Sequence, residues 1–186
     1  MIRKMSCEKD MVVVFISSRI EELREERKTV KKTIEALARR YHIDIVPRMF
    51  ETEPAPPSTG VRESSLDYVK TSDALVAIYY KTVSEIVMEE FRNANNLLMP
   101  IFVFKKKVNR PELNDEERRE YDKLVRFIEE EVTFPKTYSS EHYVYREFED
   151  RGDLATEVER AILWYYPRRF EFHKIPDKYL AFGNEM

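Results

Sequence analysis

Glycine is scarce: the chain has 186 residues and only Gly60, Gly152 and Gly183. Loops that cradle phosphate need several glycines so that backbone amides can approach the ligand. Neither G-x-G-x-x-G nor G-x-x-x-x-G-K occurs. P-loop nucleotide hydrolases, kinases and dinucleotide dehydrogenases of the usual pattern are therefore excluded. A single cysteine, Cys7, excludes an intramolecular disulfide. Three histidines, His42, His142 and His173, lie far apart in sequence, so a Cys/His zinc site is not expected. A magnesium held by carboxylates is left open. No G-x-S-x-G elbow is present, and Cys7 has no evident histidine partner, which disfavours serine and thiol nucleophiles. There is no run of about eighteen apolar residues, hence no transmembrane helix. The opening MIRKMSCEKD lacks the apolar core of a signal peptide. A soluble, cytoplasmic protein without a resident cofactor is expected.

Charge, by contrast, is abundant and balanced. There are 32 basic and 35 acidic residues and a net charge of -3. Such a balance gives no electrostatic footprint for nucleic acid. High Lys and Glu content with little Gly and one Cys is compatible with a thermophile. With 42% apolar and 12% aromatic residues, the length suits one well-filled domain.

Buried-strand patterns recur at 11–16 (MVVVFI), 42–50, 73–80, 97–104 and 142–148. Helical patterns separate them at 20–40, in the VRESSLDYVKTS stretch, at 84–96, at 115–133 and at 154–166. Strands alternating with helices predict βαβ units and a parallel sheet. The expected fold is a flavodoxin-like three-layer α/β sandwich with a mostly parallel sheet of about five strands. Residues 1–10 read as an N-terminal extension, 11–166 as the domain, and 167–186 as an aromatic, basic tail that packs on the domain or on a partner. Ligands of such sheets bind beyond the carboxyl ends of the strands. That directs attention to Ser17, Ser18 and Arg19, to Arg48–Glu51, to Tyr79–Thr82 and to Lys105–Lys107.

Two charges fall on faces that should be buried. With Ile86 set at zero and 100° per residue, Val87, Phe91, Ala94 and Leu97 define an apolar arc, and Glu90 falls inside it at about 40°. Glu85 and Glu89 fall outside, at about 260° and 300°. On the first helix, Ile20, Leu23, Val30, Ile34, Leu37 and Ala38 form a stripe that also contains Arg27. A buried charge is costly unless it is paired or used. A rim position, a structural ion pair (Glu90 with Arg27, for one) and a functional role all remain open for these two residues.

One chemistry that uses a lone inward carboxylate is cleavage at an anomeric carbon, whose transition state is an oxocarbenium ion. Aromatic side chains placed after strands, Phe50, Tyr79 and Tyr80, could stack on the leaving base. Ser17, Ser18 and Arg19 could meet hydroxyl or phosphate groups. Each has a plainer reading: the serines as a helix N-cap, the tyrosines as sheet packing. The lysines at 105–107 read as a solvated basic loop, and Glu129–Glu131 as a helix surface.

The stretch VVVFISSRIEELREERKTVKKTIEAL resembles the opening of the TIR-like family known as domain of unknown function 4062. Phe15, Ile16, Ser17 and Ser18, then Glu25, Glu26 and Arg27, carry the likeness. Ser72 and Asp73 before a strand, Glu90, Phe91 and Ala94, and MPIFVF continue it. REFEDRGDLATEVERAI closes it, so the likeness spans roughly residues 10 to 165. The wider group includes TIR domains and nucleoside 2-deoxyribosyltransferases. The resemblance implies cleavage of an N-glycosidic bond, in NAD or a nucleoside, by a glutamate at the position of Glu90. Ser17, Ser18, Arg19, Arg27, Phe50, Tyr79 and Tyr80 are then the expected ligand-binding residues. The sequence departs from the pattern in the Val-Met-Glu before Glu90 and in the Tyr-Tyr-Lys that ends the third strand. Many members of the group are scaffolds or sensors, so a non-catalytic, self-associating module, with Trp164 to Phe172 as its contact surface and a homodimer as its form, is the alternative expectation.

Overall fold

A computed structural model describes residues 11–52, 60–133 and 143–168. Five strands, β1 (Val12–Ser18), β2 (Ile45–Arg48), β3 (Ala74–Tyr79), β4 (Ile101–Lys106) and β5 (Tyr143–Phe148), form one sheet in the order β2-β1-β3-β4-β5. Every pairing is parallel. Five helices connect or follow the strands: α1 (Ile20–Tyr41), α2 (Val61–Lys70), α3 (Glu85–Asn96), α4 (Asp115–Phe127) and α5 (Arg151–Tyr165). The flavodoxin-like expectation holds, with the sheet wholly parallel.

The central strands are apolar on both faces because helices cover both. Val12, Val14 and Ile16 pack with α1 and α5. Phe15, Leu75, Ala77 and Val103 pack beneath α2, α3 and α4. Side chains alternate across a strand, so each strand serves both layers. Burying each large apolar side chain stabilises the fold by roughly 1.5–3 kcal/mol.

Several boundaries differ from expectation. β2 covers only four residues, and Pro47 sits in it opposite Val14, at the end of the sheet. β4 starts at Ile101 rather than 97. α3 closes at Asn96, Leu98 takes a left-handed conformation (φ 57°), and Leu97 is half exposed instead of joining the apolar arc. α4 passes into a π-helical turn at Ile128–Thr133. Residues 1–10, with Cys7, lie outside the described residues, as do His142, His173 and all but the first two residues of the 167–186 tail. Among the described residues no helix is long and apolar enough to cross a membrane.

Candidate functional site

The order of the strands reverses between β1 and β3: α1 leaves β1 on one face of the sheet, and α3 leaves β3 on the other. This switch point opens a crevice at the carboxyl end of the sheet. β1 runs straight through Ser17 and Ser18 to its end, so neither serine caps α1; Arg19 occupies the cap position and makes no side-chain cap bond. Alternation sends the two hydroxyls to opposite layers.

Ser17 turns toward α3, where its hydroxyl donates to Glu90 Oε2. Ser65, on α2, donates to the other oxygen, Oε1. Glu90 is only 5% exposed. Burial pushes its pKa above the ordinary glutamate value, and the two serine bonds and the charge of Arg27 only partly offset this. Glu85 and Glu89 lie off the buried face and pair with Lys123 and Arg62. The helical phase therefore separates the three carboxylates as the sequence implies, with one addition: Met88 is also buried, so the packed face is wider than the apolar arc.

Ser18 turns toward α1, and Arg27 Nη1 donates to its hydroxyl at 3.1 Å. Arg27 is almost wholly buried, yet its ion pair runs to Glu51 rather than to Glu90. The fork is bidentate: Nε to Oε1 at 2.8 Å and Nη2 to Oε2 at 2.5 Å. Burial works to raise the Glu51 pKa, but the hydrogen bonds and charge of Arg27 outweigh it and hold the carboxyl below its ordinary value. The Glu90–Arg27 ion pair considered from sequence is thus replaced by two separate arrangements, a hydroxyl-bound carboxylate and a guanidinium–carboxylate fork.

Between them lies a cavity of about 220 Å³. Glu90, Ser18, Arg19, Arg27, Phe50 and Ser65 all line it. Arg19 is partly exposed and donates to Thr82 at 2.7 Å, across from the end of β3. Phe50 stands in a 3-10 turn, edge-on to Tyr68. A family model, domain of unknown function DUF4062, matches residues 13–163. The chain belongs to the DUF4062 family.

This DUF4062 domain has no match among curated proteins. Among solved structures it is similar to a conserved protein from Enterococcus faecalis V583, at 13% identity and a TM-score of 0.45, covering 81% of this chain and 98% of that one. It is similar to the Clostridium botulinum CMP N-glycosidase BcmB at 15% identity and a TM-score of 0.48, covering 80% and 98%. The translation elongation factor SelB from Methanococcus maripaludis aligns at 11% identity and a TM-score of 0.49, covering 84% of this chain and 34% of that one.

In the DUF4062 domain, Tyr79, the last residue of β3, and Tyr80, which follows it, stand apart from this cavity. Tyr79 packs edge-on against Phe127 in the layer of α2, α3 and α4. Its buried hydroxyl has no hydrogen-bond partner among the described residues, and burial together with the charge of Glu90 pushes its pKa up. Tyr80 lies against the other layer, with the ammonium groups of Lys81 and Lys106 over its ring. The three lysines at 105–107 are not a free basic loop: Lys105 pairs with Glu147, Lys106 with buried Glu26, and Lys107 with Glu149. Among the described residues no group of three or more His, Cys, Asp or Glu side chains could hold a metal ion.

Sequence reasoning missed Ser65 and the pairing of Glu51. A signal existed for the first. Serine is an indifferent helix former, yet Ser65 falls one turn before Val69 on the same short helix and is buried with it.

Proposed function

We propose that the cavity at the β1/β3 switch point binds a nucleoside or nucleotide and that Glu90 promotes cleavage of its N-glycosidic bond. The observation that carries this is a buried carboxylate, held through both oxygens by hydroxyls, in the wall of a cavity at the carboxyl edge of the sheet. Ser17 and Ser65 fix its orientation, which favours attack or charge stabilisation at one defined point. As the C1′–N bond breaks, its electron pair leaves with the base and positive charge develops on the sugar. The ionised Glu90 stabilises that charge or bonds to C1′. Water then adds to C1′, its oxygen becoming the sugar hydroxyl and a proton passing to the base. Phe50 takes the stacking role that the sequence spread over three aromatics. Ser18, Arg19 and Arg27 offer donors to the sugar or its substituents.

The test is incubation with NAD, the common nucleosides and their 5′-monophosphates, with chromatography for free base. Release by the wild type and loss on Glu90→Gln, with the fold retained, is the expected result. No free base from any of them refutes the catalytic reading.

The same two hydroxyl bonds favour a second reading, a ligand-sensing or interaction module without catalysis. A carboxylate whose oxygens both accept a bond also serves to tie α3 to β1 and α2. In that case Glu90→Gln lowers stability and leaves ligand binding intact.

A further inference from the structure

A second, larger cavity of about 620 Å³ adjoins the first. Ile20 borders both. Their common partition is the Arg27–Glu51 fork, since Arg27 lines the smaller cavity and Glu51 the larger. The lining of the larger one is unlike that of the smaller. Arg24, Lys28, Lys31 and Lys32 enter it from α1, against the carboxylates of Glu35 and Glu51. Lys28 follows Arg24 by four residues, and Lys31 and Lys32 follow Lys28 by three and four, which brings the four heads together along one helix face. They span about 12 Å of helix.

Their charge is only partly neutralised. Lys28 pairs with Glu25 at 2.7 Å on the exposed surface, and Lys31 reaches Glu35 only at 3.9 Å. Arg24 and Lys32 are exposed, and neither forms an ion pair with a described carboxylate. Glu51 is already matched by Arg27, so it subtracts little from the positive field. Thr52 adds a hydroxyl and Met49 an apolar floor. A concave surface with an excess of cations concentrates anions.

The smaller cavity lies below the range of about 300–1,000 Å³ usual for small-molecule sites. It accommodates part of a nucleotide and leaves the remainder to the adjoining space. We infer that the larger cavity is the phosphate subsite of the Glu90 site, so that the substrate class is a nucleotide and not a nucleoside. This rests on the glycosidic-cleavage reading for its consequence, while the anion site itself is open to a separate measurement. With the sugar beside Glu90, phosphate oxygens pass the Arg27–Glu51 partition and meet Arg24 and Lys32, which feel Glu51 and Glu25 from a distance but form no ion pair with a described carboxylate.

The experiment compares matched pairs, each nucleoside with its 5′-monophosphate, together with NAD, by calorimetry on the wild type and on Glu90→Gln. The phosphorylated member of at least one pair should bind about tenfold tighter or more, as expected for charge-assisted bonds. That margin should shrink as salt rises from about 50 to about 500 mM. The double variant Arg24→Gln/Lys32→Gln, altered at exposed positions that the fold does not need, should lose the margin and still bind the nucleoside as before. Equal binding of both members, no binding of any phosphorylated compound, or a margin retained in the double variant overturns the inference. Free base released equally from nucleosides and nucleotides also overturns it and leaves the Glu90 reading standing. A phosphate margin without base release supports the anion subsite and removes the catalytic reading.

Discussion

A buried carboxylate contributes to folding and to chemistry through opposite charge states, and Glu90 can be read through that conflict. Its pKa in the folded chain lies above the reference value of 4.5 because burial disfavours the charged form. The neutral form is therefore the one that favours the fold. Its contribution to stability is full below the unfolded pKa and is lost as pH rises through the folded pKa. Denaturant midpoints of wild type and Glu90→Gln, measured from acid to alkaline pH, should show the wild type losing ground as pH rises. Base release should run the other way, with an acid limb above the ordinary glutamate range, because the ionised form is the one that meets the oxocarbenium charge. Tyr79 poses a simpler residue-scale question. Its hydroxyl is buried without a described partner, which costs roughly 1–3 kcal/mol. Tyr79→Phe should thus raise stability, by about 1 kcal/mol in chemical denaturation. Helical phase made Glu90 and Arg27 legible in the sequence, because a charge inside an apolar arc is visible without coordinates. Their partners were not legible. Glu51 lies on a turn outside the periodic elements, and Ser65 on a helix that packs beside α3 only in three dimensions.

At the scale of elements, an end depends on backbone conformation more than a centre does, and the end of α1 is an example. It closes on His42 in a left-handed conformation (φ 51°), whose amide donates to Ala38. Glycine usually fills that place because it has no Cβ to clash. His42 is exposed, so His42→Gly should stabilise the domain by about 0.5–1 kcal/mol, after the entropic cost of glycine. Thermal unfolding of the variant measures it. A lower midpoint would mean that the imidazole contributes something the backbone argument omits. A similar local event shifted β4: LLMP reads as strand by composition, but Leu98 in the left-handed region and Pro100 after it make a turn. Apolar runs give the centre of an element, while its end depends on backbone conformation, which non-glycine residues disguise.

On the whole-molecule scale, alternation of strands and helices was enough to give the three layers and the parallel sheet. It could not give the strand order, which depends on which faces meet. The two core clusters share β1, β3 and β4. Loss of one layer strips one face of the strands that the other needs, so both should unfold together. Trp164, the sole tryptophan, lies on α5 in the layer with α1. Its fluorescence should change at the same denaturant concentration as far-ultraviolet circular dichroism. Separate transitions would show that the α1–α5 layer melts by itself. One further consequence concerns the rim of the sheet. Pro47 leaves the four-residue outer strand β2 without one backbone donor. A short strand missing an amide is a poor template for a foreign strand, so β2 acts as a stop against edge-to-edge growth of the sheet.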